Sequence, residues 1–376
     1  MQRTTFHRRG ADVEHDPEAV ARELATKLSS RARHVCVLLG AGASVAAGLP
    51  TIASLATLVQ AALPDAERAR FAGLLSGRNL EQALSRLRRI RSLVATGGSF
   101  EGLDEASAAE LDRQVCEAIT KAVDIAGKPT DAFERLASWA GRTESQRAIE
   151  LFTVNYDLLI ETGLEEVGVP YFDGFVGSIR GRFTPDLVEP TPGRSTRELP
   201  AGFVRLWKLH GSVNWTESAV GGRKEIVRIG SPVGHAVAIY PSDEKYDESR
   251  RVPFVTLMDR FRRALVEPET ITLVTGYSFG DEHLNEMIFD AARRHPRSEV
   301  VAFSFAGISP QLAAQAQGTR NLVVLSPDEA IIDGQKGPWA NVGDVPDVFV
   351  GGQWRLGSFS SLSTYLARQV GADALP

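Results

Sequence analysis

Three polar side chains that could do acid–base or hydrogen-bonding chemistry follow apolar runs of the sequence. Asn155 and Asp157 come directly after the run 148–153, and His210 comes directly after the run 203–209. The carboxyl ends of parallel strands meet at one edge of a sheet, where α/β proteins bind their ligands. An amide, a carboxylate and an imidazole at such an edge could orient a substrate and move a proton. Asn155, Asp157 and His210 are therefore candidate catalytic residues, placed together at one edge of the sheet.

A glycine-rich turn, residues 40–44 (GAGAS), lies between an apolar run and a helical segment. Glycines let the backbone approach a pyrophosphate, and the following helix offers free N–H groups and the positive end of its dipole. A tight strand-to-helix turn without a ligand is the alternative interpretation. The dehydrogenase fingerprint would have a third glycine at Val45 and an acidic residue closing a second strand nearby, and neither is present.

The polar residues after the strands have structural interpretations too. Asp157 could cap the helical segment that follows it, and a lone histidine is more often a satisfied structural residue than a catalytic one. The arrangement as a whole favours function. Two strand ends that deliver Asn, Asp and His beside a glycine loop are a less frequent coincidence than any one of these residues alone.

Residues 276–280 (GYSFG) match the nucleophile elbow of serine hydrolases, with Ser278 as the nucleophile. That fold needs an acidic residue and then a histidine in a late loop. The histidines after Ser278 are His283 and His295, both in the next helical segment. Because no triad can be assembled in that order, the sequence does not favour a serine hydrolase.

The elements that must position these residues follow an α/β pattern. Residues 17–30 have helical spacing, and the six apolar runs typical of buried strands are 34–39, 148–153, 203–209, 270–275, 299–304 and 321–325. Residues 60–145 are helical throughout. The pattern predicts an α/β fold, a doubly wound Rossmann-like parallel sheet of about six strands with an inserted helical subdomain at about 60–145.

The predicted organisation has three parts: an N-terminal helical segment (1–32), a central domain that contains the sheet (33–345), and a C-terminal tail with a helix (346–376). Residues 173–200 are rich in Pro, Gly and Arg, which favours a long loop or lid, and residues 223–240 resemble a small hairpin.

The composition of the 376-residue chain excludes several classes of protein. A net charge of -5 disfavours a protein that coats nucleic acid. Residues 35–64 carry no charge, but their glycines, prolines and hydroxyl groups indicate a buried strand, turn and helix rather than a membrane span. The N-terminal arginines lack an apolar core after them, so we expect no secretory signal.

No metal site is expected. Cys36 and Cys116 are the two cysteines, too few for a disulfide framework or a cysteine-rich zinc site, and they suit a reducing cytoplasm. Residues 281–283 (DEH) resemble a metal cluster, but acidic residues in a first helical turn are ordinary caps and dipole partners.

Four motifs occur in the order seen in sirtuins: 40–50 (GAGAS and AGLP), 153–157 (TVNYD), 208–212 (KLHGS) and 276–278 (GYS). The chain resembles a sirtuin-like protein over roughly residues 33–330, and the resemblance implies a doubly wound, NAD-binding sheet with an inserted small domain. Protein deacylase sirtuins have Asp-Phe-Arg after Gly-Ile-Pro and four zinc cysteines. Here Pro50 is followed by Thr51-Ile-Ala, and the zinc cysteines are absent.

With residues 276–283 (GYSFGDEH), these departures are similar to the bacterial sirtuin-like NAD+ hydrolases of anti-phage defence, including those paired with a hexameric HerA-type ATPase. The resemblance implies cleavage of the nicotinamide–ribose bond of NAD+. Asn155 would orient the ribose and a water at its anomeric carbon, Asp157 would support the nicotinamide-ribose end, and His210 would act as general base. The expected NAD-binding residues are Gly40, Ala41, Gly42, Ser44, Gly48, Thr51, Gly276 and Ser278.

Two alternative functions stay open. One is a NAD-dependent deacylase or ADP-ribosyltransferase that uses the same pocket, and the other is a non-hydrolytic sensor of NAD+ or an ADP-ribose derivative. Because an unrestrained NAD+ hydrolase would kill its host, the resemblance implies control by self-association or a separate ATPase partner. Segments 86–91 and 260–263 and the tail after Gly351 are candidate contact surfaces. We expect no membrane association and at most indirect contact with nucleic acid.

Overall fold

The computed structural model describes residues 6–9, 12–188, 202–220, 223–232 and 252–371. Its strands are β1 (Phe6–Arg9), β2 (Asp12–His15), β3 (His34–Leu39), β4 (Glu150–Thr153), β5 (Tyr171–Phe172), β6 (Phe175–Val176), β7 (Arg180–Phe183), β8 (Val204–Lys208), β9 (Trp215–Val220), β10 (Arg223–Ile229), β11 (Thr270–Thr275), β12 (Glu299–Phe303), β13 (Leu322–Leu325), β14 (Glu329–Ile332), β15 (Gln335–Pro338), β16 (Phe349–Val350) and β17 (Gln353–Trp354). Its helices are α1 (Pro17–Leu28), α2 (Ala41–Val45), α3 (Ile52–Ala62), α4 (Asp65–Leu75), α5 (Leu80–Val94), α6 (Glu105–Ala122), α7 (Asp131–Arg142), α8 (Leu159–Glu166), α9 (Pro185–Val188), α10 (Phe254–Val266), α11 (Glu282–Arg294), α12 (Pro310–Gln317) and α13 (Phe359–Gln369).

A nine-stranded sheet with the order β15-β14-β13-β12-β11-β3-β4-β8-β5 organises the chain. The strands from β13 to β5 are parallel, and β14 and β15 are antiparallel additions. Counted from β3, the six predicted strands have the Rossmann order 3-2-1-4-5-6. The predicted fold class is therefore confirmed, and β5, β14 and β15 extend the sheet beyond the six expected strands.

Helices cover both faces of this sheet, which explains why its central strands are apolar on both sides. Every residue of β3, β4, β11, β12 and β13 is buried. One apolar cluster joins the sheet to α1, α7, α8 and α13, and a second joins it to α10, α11 and α12.

The helices α3, α4, α5 and α6 form a third apolar cluster, which also contains Tyr156 and Val213 from the loops at the strand ends. This bundle therefore lies over the carboxyl edge of the sheet. The predicted insertion, about 60–145, also includes α7, but Phe133, Leu136 and Trp139 of that helix pack with the sheet. The division into domains remains a prediction.

The segment predicted as helical at 1–32 contains α1 but also the β1–β2 hairpin. The segment predicted as a loop or lid at 173–200 contains β6, β7 and α9, and its part at 189–200 lies outside the described residues. β6 and β7 join β9 and β10 in a four-stranded sheet of order β6-β7-β10-β9. The predicted hairpin at 223–240 is the β9–β10 pair, which starts earlier, while 233–240 lies outside the described residues.

Within the described ranges, no single helix is long and apolar enough to cross a membrane. One bent pair of helical segments, Ala41–Ala47 with Ile52–Ala62, reaches that length and composition together.

Candidate active site

The candidate site lies where the direction of winding reverses, between β3 and β11, which is where doubly wound sheets leave a crevice. The loop after β3 and the loop after β11 are hydrogen-bonded to each other. Gly40 N donates to Thr275 O at 3.0 Å, and Gly42 N donates to Gly276 O at 2.8 Å. The two sequence motifs therefore form one structural unit at the carboxyl edge of the sheet.

The glycines of this unit are required by packing. A Cβ atom on Gly276 would lie 2.2 Å from Ala43 N, and Gly276 also has a φ of +63°. A Cβ atom on Gly40 would lie 2.5 Å from Gly276 O. Close packing of the two loops thus accounts for the glycines by itself, and phosphate binding by residues 40–44 remains a prediction.

A chain of hydrogen bonds links the first glycine loop to the polar residues after β4. Asn155 Nδ2 donates to Gly40 O at 3.0 Å and to Ser44 Oγ at 2.9 Å, and Ser44 Oγ donates to Asp157 Oδ2 at 2.7 Å. All three side chains are buried. Because both hydrogens of the Asn155 amide are used in this way, its Oδ1 is the atom left to accept a hydrogen bond from a water or a hydroxyl group.

Asp157 also has the structural role that its position suggested. Its Oδ1 accepts a hydrogen bond from Leu159 N, at the start of α8, at 3.1 Å. Its backbone carbonyl accepts from the buried Lys208 ammonium, which pairs with Glu161 at 2.9 Å. Asp157 therefore anchors the helix and orients Ser44 at the same time.

His210, which follows β8, lies between two carboxylates. Its Nδ1 is 3.2 Å from Glu81 Oε1, and its Nε2 is 3.2 Å from Asp281 Oδ2. Burial alone would lower the pKa of His210, but the two carboxylates outweigh burial and raise the pKa to about 10. The ring is therefore protonated near neutral pH, whereas the predicted general base requires a neutral ring.

Sequence reasoning missed both partners of His210. Asp281 caps α11, as expected, by accepting from His283 N at 2.9 Å and Leu284 N at 3.2 Å, but its second oxygen faces the imidazole. Glu81 comes from α5 and accepts the Tyr156 hydroxyl at 2.5 Å. No local pattern signals a contact between Glu81 and His210, because 129 positions separate them and only the tertiary fold joins them.

A cavity of about 960 Å³ opens over these groups, walled by the two glycine loops, the inserted bundle and the start of α11. Nine of the predicted site residues line it: Ala41, Gly42, Ser44, Thr51, Asn155, Asp157, His210, Gly276 and Ser278. Gly40 and Gly48 do not line it. Gly40 is buried at the start of its loop, and Gly48, with a φ of +75°, turns the chain between α2 and α3.

Ser278 is exposed in this cavity. Both ring nitrogens of His210 are already directed at carboxylates. Within the described part of the chain, no hydrogen bond joins the Ser278 hydroxyl to a base, so the arrangement does not favour a serine hydrolase. The same residues contain no group of three or more His, Cys, Asp or Glu side chains placed to hold a metal ion.

A family model described as a SIR2-like domain matches residues 149–324, somewhat less than half of the chain. The match begins just before β4 and ends within β13, so it contains Asn155, Asp157, His210 and Ser278 but not the loop at 40–44. No curated protein sequence matches the chain.

Solved structures of Sir2 homologues are similar to this chain at low identity. A mutant Sir2 homologue in complex with ADP-ribose is 13% identical, with a TM-score of 0.43, and the alignment covers 93% of this chain and 96% of that one. A Sir2 homologue in complex with NAD is also 13% identical, with a TM-score of 0.43 and coverage of 98% and 97%. At these values the likeness carries no inference about what this chain binds.

Proposed function

We propose that this chain is an NAD+ glycohydrolase that cleaves the nicotinamide–ribose bond and releases nicotinamide and ADP-ribose. One observation carries the proposal: Asn155, Asp157 and His210 meet two interlocked glycine loops in a single cavity at the switch point of a Rossmann sheet. The match of residues 149–324 to a SIR2-like domain supports it.

The chemistry of the bond suits this set of residues. Neutral nicotinamide leaves from a cationic nucleotide and an oxocarbenium-like ribose remains, so the enzyme needs orientation and charge stabilisation more than a strong acid. Asn155 Oδ1 would accept from a ribose hydroxyl or from the water that attacks the anomeric carbon. Ser44 and Asp157 hold Asn155 in place for that role.

The remaining predicted residues divide between the diphosphate and the adenosine of NAD+. The loop with Gly40, Ala41, Gly42 and Ser44 would hold the diphosphate, with Gly48 and Thr51 shaping the turn beside it. Gly276 and Ser278 would line the adenosine side. No metal is needed, because the leaving group departs as a neutral molecule.

Product analysis with purified full-length chain tests this proposal. We expect stoichiometric nicotinamide and ADP-ribose from NAD+ without any acceptor, at the same rate in the presence of EDTA, and chromatography separates linear from cyclic product. A second reaction contains an acetyl-lysine peptide. NAD+ loss that occurs only with the peptide, together with an acylated ADP-ribose, would identify a deacylase, while binding of NAD+ without turnover would identify a sensor.

We further propose that the enzyme works in the cytoplasm as an anti-phage effector that depletes NAD+, under the control of self-association or of a HerA-type ATPase. In the candidate contact segment 260–263, Arg260 is not accessible to a partner, because it is buried against Glu150. In segment 86–91, Arg86 pairs with Glu101 and Arg88 pairs with Asp112, so this helix face is already partly neutralised.

We expect a homo-oligomer whose NAD+ hydrolysis changes when such an ATPase is added. Mass photometry combined with an NAD+ assay, with and without the partner, measures both properties. A fully active monomer that the ATPase does not alter would contradict this proposal of control and leave the hydrolase itself standing.

A further inference from the structure

Glu81, His210 and Asp281 form a buried charge cluster on the wall of the cavity. The side chains of His210, Glu81 and Asp281 are 8%, 12% and 7% exposed. Each ring nitrogen is 3.2 Å from a different carboxylate. No hydrogen bond of good geometry reaches Oδ2 of Asp281 in the described part of the chain, so its contact with the imidazole is the ion pair at 3.2 Å.

The number of protons on the His210 ring determines the net charge of this cluster. A neutral imidazole has one N–H and could donate to only one carboxylate, which would leave a lone pair directed at the other. An imidazolium has an N–H on each nitrogen, and its positive charge lies 3.2 Å from both carboxylates. Two carboxylates and one imidazolium carry a net charge of one negative unit, and the raised pKa of His210 keeps that charge constant across the neutral range.

Tyr156, Tyr277 and Arg88 do not cancel this charge. The Tyr156 hydroxyl contacts Glu81, and Tyr277 lies near Asp281; burial raises the pKa of both phenols, so they stay neutral. Arg88, on the same helix as Glu81, pairs with Asp112 at 3.0 Å.

We propose that this cluster stabilises positive charge at the nicotinamide ribose, with Glu81 and Asp281 as positioning residues that hold His210 as an imidazolium. The inference rests on the proposed NAD+ hydrolysis. The bond from the anomeric carbon to the pyridinium nitrogen breaks with its electron pair passing to nicotinamide. Water oxygen then adds to the anomeric carbon, and its proton passes to bulk water rather than to His210.

The location of the cluster supports this role. His210 and Asp281 line the same cavity as Asn155, at the carboxyl ends of neighbouring parts of the sheet. Positive charge moves from the pyridinium ring to the ribose as the bond breaks, and a fixed negative charge in a buried wall favours that movement without reorganising. A base would instead need to lose a proton that two carboxylates hold.

The pH profile of kcat separates the two roles. We expect wild-type kcat to vary less than about twofold from pH 6 to 9. Asp281→Asn keeps the helix cap but should lower kcat roughly tenfold at pH 7. The kcat of this variant should rise again with pH, because loss of the imidazolium proton restores the net negative charge of the cluster. Glu81→Gln should behave alike, and Asp290→Asn, a loss of the same charge on the helix that Asp281 caps but outside the cavity, should not.

If His210 acted as a general base, the pH dependence of wild type and the effect of Asp281→Asn would both have the opposite sign, and the proposal would be overturned. Wild-type kcat would then rise about tenfold per pH unit towards the raised pKa of His210. Asp281→Asn would also be faster than wild type at pH 7, because it frees the ring to lose its proton.

Binding provides a readout that does not depend on turnover. Carbocyclic NAD+ keeps the pyridinium charge but cannot form the oxocarbenium ion, and NADH lacks the charge. We expect wild type to prefer carbocyclic NAD+ over NADH, and Asp281→Asn to reduce that preference several-fold. An unchanged preference would overturn the charge assignment, while an altered preference in a protein that leaves NAD+ intact would overturn only the proposed hydrolysis.

Discussion

Asn155→Ala is expected to slow NAD+ cleavage by about 10²-fold or more, and His210→Ala to do the same. Asn155 Oδ1 is the free acceptor of a fully fixed amide, so its loss removes the group that orients the ribose or the water. Loss of His210 leaves Glu81 and Asp281 without the group that holds them, so they move apart or share a proton and the fixed negative charge is no longer positioned at the cavity wall. Initial rates by nicotinamide release measure both effects.

Folding must be separated from catalysis in this experiment. Asn155→Ala leaves the Gly40 carbonyl and the Ser44 hydroxyl short of a donor, which costs about 1–3 kcal/mol of stability. Thermal melts and ADP-ribose binding therefore accompany the rates. Asn321→Ala is the matched control, since that amide donates to His295 O, away from the cavity. Wild-type rates in both site variants would refute the assignment of the site.

Arg260→Met is expected to destabilise the folded chain by about 3–5 kcal/mol while leaving the chemistry of the folded fraction intact. Arg260 Nε donates to Glu150 Oε2 at 2.8 Å, and the same carboxylate accepts from Trp207 Nε1 at 2.6 Å and lies 2.9 Å from His34 Nε2. Glu150 and His34 begin β4 and β3, so this network lies at the amino edge of the sheet, opposite the cavity.

Urea unfolding of the Arg260→Met variant measures the effect. Arg262→Met, on the same helix and paired with Asp259 at the surface, is the matched control and should cost less than about 1 kcal/mol. Burial alone would raise the pKa of Glu150, but Arg260 and His34 lower it well below its usual range. The ionised Glu150 therefore contributes its full share to the free energy of unfolding above the ordinary pKa of 4.5, and this share is lost as pH falls below that value. Equal stability of the two variants would contradict the structural role of the network.

The central strands could be predicted because their burial on both faces leaves a continuous apolar signal, as in β3. β5 has only two residues, and β15 reads QKGP, so neither produces such a signal. α7 is amphipathic like α5 and α6. Periodicity shows that a helix has an apolar face but not whether that face meets the sheet or another helix.

In the candidate site, too, some features could be predicted from the sequence and others could not. Asn155, Asp157 and His210 could be placed at one edge because strand ends converge there. The hydrogen bonds among Asn155, Ser44 and Asp157, and the contact of Glu81 with His210, arise from packing between distant segments. The order of the strands therefore predicted that these residues lie close together, but not the hydrogen bonds and ion pairs that they form.

Because Glu81 belongs to the inserted bundle and His210 to the sheet, the protonation of the imidazole reports the distance between these two parts of the molecule. A displacement of α5 that lengthens this contact would remove one of the two carboxylates that hold the proton, and the pKa of His210 would fall towards 6.5. A partner bound to the outer surface of the bundle would then change the reaction by moving α5, and at a pH above the lowered pKa of His210 its docking would release a proton into the medium.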